Sequence, residues 1–338
     1  MPKRQGKYTL LLPSKPSIIG SAAVAGKKEK EGPMGTYFDL CFQDTTLGEE
    51  SWEKAEARMQ TEAVNLAIQK AGLTNAAIQY IFAGDLLNQC ISSSFGLRGL
   101  GIPFLGQYGA CSTMAQTISL AALLVDCGAA NHCAAVTSSH FCSAERQFRF
   151  PLEYGGQRTP TAQWTATASG SAILGAHQTD TPFVAAMTIG KITDLGIKDA
   201  ANMGAAMAPA AMQTLLDFLN DTHTTPDDYD LILTGDLGSV GAALLKELLT
   251  KEGVSLSSNY NDCGILIYDA QKQDVHAGGS GCGCSAAIVC SYLFQKMREG
   301  AFRNVLFLGT GALMSPTSSQ QGESIPGIAH LLQFRMPS

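Results

Sequence analysis

The chain has 338 residues, 45% of them hydrophobic and 15% charged, with a formal net charge of −6. That length accommodates two core-forming units or one large α/β domain, and the apolar content excludes disorder as the default state. The acidic balance, with no basic stripe interleaved with aromatics, excludes nucleic acid as the expected partner.

Residues 1–7 lead into only a short apolar run at 10–12, which reads as neither signal peptide nor anchor. No apolar stretch approaches the roughly 20 residues that span a bilayer. Ten cysteines without a secretion signal are expected as thiols in a reducing compartment.

Residues 27–33, Lys-Lys-Glu-Lys-Glu-Gly-Pro, read as a solvated loop. Residues 51–72 read as a helix, with Ser51 as N-cap and Gly72 as the stop. A turn and a strand at 78–83 follow, ending in Gly84-Asp85-Leu86. Next comes Gly109-Ala110-Cys111-Ser112-Thr113-Met114, heading a helix that runs to Gly128. This helix is apolar all round, which marks it as buried. Cys111 and Ser112 therefore stand at a helix N-terminus, where free N–H groups favour an anion. Such a cysteine acts as a lowered-pKa nucleophile, as part of an anion site, or only as packing; spacing alone leaves all three open.

A strand at 133–137 follows. Arg146 and Arg149, three apart, are suited to a dianion through guanidinium forks or to structural ion pairs. Lys191 and Lys198 flank Thr193-Asp194-Leu195-Gly196 and are lesser candidates for anion contact. A second helix at 207–219 has Pro209 in its first turn. It leads through Thr225-Pro226-Asp227-Asp228 to a strand at 229–234 and Gly235-Asp236-Leu237. Asp262, before an expected strand at 265–268, suits Ca²⁺, a protonated ligand carboxyl, or a plain turn role. His276 precedes a glycine-rich turn at 278–283, a helix to Gly300 and a strand at 305–308.

The order of elements repeats. An offset of 151 aligns Thr74 with Thr225 and the two Gly-Asp-Leu triplets, and an offset of 172 aligns the Cys111 helix with the one after Gly281. Repetition of Asp85 as Asp236 suggests a shared turn role. The pattern predicts an internal duplication with two α/β halves, residues 1–185 and 186–338, packed as one unit in α/β/α/β/α layers. Gly281-Cys282-Gly283-Cys284-Ser285-Ala286 fits the dinucleotide pattern weakly, because no strand precedes it and no acidic residue follows at ribose distance. His276, Cys282 and Cys284 lack a second ligand pair at zinc spacing, so no metal site is expected.

A duplicated α/β chain with Ala-Cys-Ser heading a buried helix resembles the thiolase and ketoacyl-synthase superfamily. On that resemblance Cys111 takes the place of the acyl-accepting nucleophile. The superfamily's condensing members add a His, then a His or Asn, from the second half. Here Gly235 stands at the first position, and Ser280 at the second when Gly-His-Pro-x-Gly-x-Ser is laid on 279–285. A nucleophile without its partners implies a binding protein on an enzyme fold.

Three stretches narrow the resemblance: Thr137-Ser138-Ser139-His140 with Ala144-Glu145-Arg146-Gln147-Phe148-Arg149-Phe150-Pro151, Ala83-Gly84-Asp85-Leu86-Leu87-Asn88-Gln89, and Asp230-Leu231-Ile232-Leu233-Thr234-Gly235-Asp236-Leu237. They resemble the stage V sporulation protein AD family of spore-forming bacteria. That resemblance implies a thiolase-like fold without catalysis, and no cofactor. It further implies binding of dipicolinic acid (pyridine-2,6-dicarboxylate) or its Ca²⁺ chelate, and work with membrane proteins of the same operon in moving that ligand into the spore. A soluble chain peripherally associated with the spore inner membrane is the corresponding expectation, as is a homodimer through the first-half sheet edge. The candidate ligand contacts are Cys111, Ser112, Arg146, Arg149, Lys191, Lys198, Asp262, His276, Gly279 and Ser280. The alternative is an acyl-CoA-dependent acyltransferase or condensing enzyme using Cys111.

Overall fold

The computed structural model describes residues 1–148 and 158–337. In the first half, β1 (Ser17–Ala25), β2 (Tyr80–Gly84), β3 (Phe104–Gly106), β4 (Cys133–Ser139) and β5 (Ala168–Gly175) lie in the order β3-β2-β4-β5-β1. The second half repeats this with β6 (Phe183–Thr188), β7 (Leu231–Thr234), β8 (Tyr260–Asp262), β9 (Asn304–Ala312) and β10 (Gly327–Arg335), in the order β8-β7-β9-β10-β6. In each half the three outermost strands are parallel and the inner two antiparallel. Ser17 pairs with Phe183, and the N-terminal strand Thr9–Leu11 with Ala186–Thr188, which joins the halves into one continuous sheet of 13 strands.

Alternation along the strands sets the layers, because successive side chains point to opposite faces. Leu231, Leu233, Val305 and Phe307 join Phe82, Cys133 and Ala135 in one core between the two halves. Two helices fill that core, α3 (Thr113–Asp126) through Met114, Ile118 and Val125, and α7 (Cys282–Ile288) through Ala286 and Ile288. The latter continues through a π-helical turn, Val289–Leu293, into Phe294–Arg298. The opposite faces carry the outer helices. Ile81, Ala83, Ala134 and Val136 pack on α1 (Trp52–Lys70) and α2 (Ile91–Leu97), and Ile232, Leu306 and Leu308 on α5 (Met203–Thr222) and α6 (Gly238–Lys251). Each fully buried Leu or Phe contributes about 1.5–3 kcal/mol. The five layers are thus helix, sheet, central helix pair, sheet, helix.

Several sequence expectations meet their elements directly. Ser51 caps α1 by accepting from the Lys54 amide. The Cys111 helix is buried and stops beside Gly128 at φ 75°. Others differ. Residues 27–33 are not simply a solvated loop: Lys27–Lys30 form a short helix whose Glu29 is buried, accepting from the Thr167 amide and the Tyr268 hydroxyl. The second-half helix begins a turn early, at Met203 behind an Asn202 cap, so Pro209 lies inside it. No strand forms at 265–268. The strand is Tyr260–Asp262, and Asp262 then caps a short helix, Cys263–Leu266. Strand β6 straddles the expected boundary at 185/186. All ten cysteines are free thiols. Among the described residues no helix is long and apolar enough to cross a membrane.

Candidate functional site

The parallel strands of both halves end at one place, and their following turns face each other across the central helix pair. From the first half comes Cys111. Its loop is held by the Thr113 hydroxyl, which accepts from the Gly109 amide and donates to the Ala110 carbonyl, and by the Ser112 hydroxyl, which donates to the Gly109 carbonyl at 2.6 Å. Ala110 adopts φ 49°, a left-handed conformation that costs a non-glycine residue about 1 kcal/mol. The second half presses on this loop through β9. A Cβ on Gly311 would come within 2.5 Å of the Gly109 carbonyl oxygen, so only glycine permits the approach.

From the second half come Asp236 and Ser280. Asp236 accepts from the Gly281 amide at 2.8 Å, the Thr310 hydroxyl at 2.9 Å and the Ser280 hydroxyl at 3.2 Å. The Ser280 hydroxyl is also 3.9 Å from the Cys111 thiol. A two-residue pairing of Trp164–Thr165 with Gly279–Ser280 fixes the serine backbone, and Gln163 donates to the carbonyls of Asp236 and Gly279. Over Cys111 lies a cavity of about 30 Å³, lined mainly by apolar side chains including Leu86, Tyr108, Phe148, Met203 and Met314. That is room for about one water molecule.

Electrostatics at this site hold the thiol protonated. Burial, then the Asp236 carboxylate, push the Cys111 pKa well above its ordinary value. Burial likewise lifts the Asp236 carboxyl to about 7, against its hydrogen bonds. The helix N-terminus does little to offset this, because the amides of Ser112 and Thr113 already bond the carbonyls of Gly109 and Ala110. At Gly235 an imidazole has no room, since a Cβ there would stand 2.9 Å from the Thr310 amide nitrogen. No histidine lines the cavity.

The structure brings Cys111 and Ser280 together at the cavity, with Gly279 beside them and Ser112 buried beneath, spent on its own turn. Other expected contacts lie elsewhere. Arg146, on α4 (Phe141–Phe148), pairs with Glu53 and stands over the Trp52 ring. Arg149 lies outside the described residues. Lys191 pairs with Asp217 and stands over Tyr8, and Lys198 is an exposed residue outside the cavity lining. His276 bonds the Thr159 carbonyl and Asp274, facing away. Asp262 is fully buried and saturated as an acceptor from Thr234, Leu237, Gly238 and Ile265. A ligand carboxyl or Ca²⁺ finds no free oxygen there. Among the described residues no group of three or more His, Cys, Asp or Glu side chains is placed to hold a metal ion.

Sequence reasoning placed Asp236 in a shared turn. Its counterpart Asp85 does serve its own turn, accepting from the Leu87 and Ser93 amides, whereas Asp236 turns into the site. The signal available was its place directly after Gly235, at the end of a parallel strand where α/β folds collect their functional groups. Tyr108 carried no motif of its own.

This fold, with a cysteine heading the first central helix, defines a thiolase-like protein. The chain is similar in structure to 3-oxoacyl-[acyl-carrier-protein] synthase III from Aquifex aeolicus VF5, with a TM-score of 0.58, 11% identity and coverage of 95% of this chain and 99% of that one. It is also similar to Xanthomonas campestris OleA, including a variant bound with cerulenin (TM-score 0.63, 11% identity, 96% and 97% covered) and one with bound lauric acid and lauroyl-CoA (TM-score 0.60, 12% identity, 95% and 99% covered). At such identities the likeness concerns the fold. In sequence, the profile of stage V sporulation protein AD matches residues 6–335. Stage V sporulation protein AD of Bacillus subtilis (strain 168) is 46% identical over 332 residues, 98% of each chain. The chain belongs to the stage V sporulation protein AD family.

Proposed function

We propose that this protein binds dipicolinic acid, free or as its Ca²⁺ chelate, without catalysing a reaction, and serves its uptake into the developing spore. The observation that carries the non-catalytic reading is the company Cys111 keeps. It faces a serine hydroxyl and a carboxylate, with a protonated thiol and no imidazole to take or return a proton. A carboxylate beside the sulfur also opposes the oxyanion that acyl transfer develops. Family membership supports the sporulation role.

The cavity of about 30 Å³ admits a pyridine dicarboxylate only if its walls move. Met203 and Met314 are unbranched and adaptable, and Tyr108 is 45% exposed at the mouth. Ser280, on the cavity wall, offers its hydroxyl to a ligand carboxylate, and Asp236 behind it, its carboxyl raised to about 7, holds that hydroxyl in place. Cooperation with membrane proteins of the same operon and peripheral attachment to the spore inner membrane follow as parts of the same proposal. So does a homodimer through β3, whose three residues are exposed. Calorimetric titration with dipicolinate, with and without Ca²⁺, tests the binding; saturable heat is expected, and none in either condition overturns it. The other reading, acyl transfer through Cys111, draws on the enzymes that share the fold and on the strained Ala110 turn. It requires an acyl mass increment on Cys111 after incubation with acyl-CoA.

A further inference from the structure

A second concavity lies at the opposite pole of the molecule. The chain leaves a short strand at Thr9–Leu11 and turns through Pro13-Ser14-Lys15-Pro16 into β1. Between this turn, the start of β6 and the end of β10 opens a groove of about 540 Å³. Ala312, at one end of β9, lines the Cys111 cavity, while Arg335 pairs with Asn304 at the other end and lines the groove. At about 3.3 Å per residue these sites are roughly 25 Å apart.

The chain is acidic, yet Lys3, Lys15, His177 and Arg335 all line this groove, and among the described residues none that lines it is acidic. Elsewhere Arg146 is matched by Glu53, Arg158 by Asp274 and Lys191 by Asp217. Among the described residues Lys3, Lys15 and Arg335 carry no ion pair. Lys15 is held at φ 54°, with its ammonium 5.5 Å from the Phe183 ring centroid, and His177 meets the same ring edge-on at 5.4 Å. Like charges gathered without counter-charges repel, and a bound anion relieves that cost. The strand edges here are already used: Leu12 donates to the Ala185 carbonyl and Val184 to that of Pro16, so an added peptide strand finds no free edge. Among the described residues none of the exposed large hydrophobics lines the groove, so a lipid surface finds nothing to insert. Its size is that of a small-molecule site.

We propose that this groove binds a compact polyanion bearing carboxylate or phosphate groups, held by Lys3, Lys15 and Arg335 and independent of the Cys111 cavity. The test is calorimetric titration of the full chain at low ionic strength with citrate and, separately, inorganic phosphate. Saturable one-site binding of at least one probe is expected, weakened about tenfold or more in a Lys15→Glu/Arg335→Glu variant and retained in Ser280→Leu. The tighter probe identifies the anion as carboxylate or phosphate. A Lys15→Ala/Arg335→Ala variant serves if the charge reversals disturb folding, judged by circular dichroism. Absence of saturable heat with both probes, or affinity unchanged by the substitutions, overturns the proposal.

Discussion

Ser280 and Asp236 share a hydrogen bond of 3.2 Å beneath the thiol of Cys111, so the second half presents a hydroxyl and a carboxylate to the first-half cysteine. Both groups come from the second half, and neither is an imidazole. What the site does follows from that pairing.

A protonated, buried thiol resists alkylation. Cys127, exposed at the end of α3, is expected to react with iodoacetamide at pH 8 well before Cys111, which stays unlabelled over the same interval. Removing the neighbouring charge by Asp236→Asn lowers the thiol pKa and speeds labelling of Cys111. Peptide mass spectrometry over a time course reads both rates. Equal labelling of the two cysteines in the wild type contradicts the assigned environment.

The Asp236 carboxyl gives stability a pH dependence of known sign. Its folded-state pKa is raised from 3.8 to about 7, so between those values the native state binds the proton more tightly than the unfolded chain. Stability from this group is therefore full below about pH 4 and is lost as pH rises through 7. The ceiling is about 4 kcal/mol from the shift itself. Glu56, raised to about 8 first by burial and then by Asp85, acts in the same direction. Urea unfolding at pH 5 and pH 8 should show a smaller difference for Asp236→Asn than for the wild type. An unchanged difference removes Asp236 as a source.

Asp262 is a structural cap. Its carboxylate accepts four hydrogen bonds while fully buried, so Asp262→Ala leaves those donors unsatisfied and is expected to cost about 2–4 kcal/mol. Thermal unfolding measures the loss. A stable Asp262→Ala protein that fails to bind dipicolinate would instead make this residue a ligand contact.

Gly311 permits the contact between halves. Alanine there sets a Cβ 2.5 Å from the Gly109 carbonyl and 3.0 Å from the Ser112 amide nitrogen, both backbone atoms of the Cys111 loop. Overpacking of this kind costs about 1–3 kcal/mol. Chemical denaturation is expected to show that loss; a Gly311→Ala protein as stable as the wild type means the loop yields freely.

Legibility in the sequence followed locality. The Ser51 cap, the apolar Cys111 helix and the duplicated strand-turn units are written within short windows, and they appear where expected. Ser280 was found because its glycine-rich register is local as well. Glu29 was misread because Lys-Lys-Glu-Lys-Glu has the composition of a solvated run, while its partners Thr167 and Tyr268 are 138 and 239 residues away. Asp236 and Asp85 occupy matching turns, yet Asp85 accepts from its own loop and Asp236 from Ser280, Gly281 and Thr310 beside the Cys111 thiol. Repetition predicts the backbone and is silent on that direction. Arg146 and Lys191 looked available for an anion, until folding brought Glu53 and Asp217 beside them.

Dipicolinate is proposed to bind in the Cys111 cavity without undergoing chemistry. Titrating dipicolinate, with and without Ca²⁺, into the Lys15→Glu/Arg335→Glu protein removes any contribution from the far groove. Saturable one-site heat is expected, abolished by Ser280→Leu, which fills the cavity. Absence of binding in both conditions, or binding undiminished by Ser280→Leu, would contradict it.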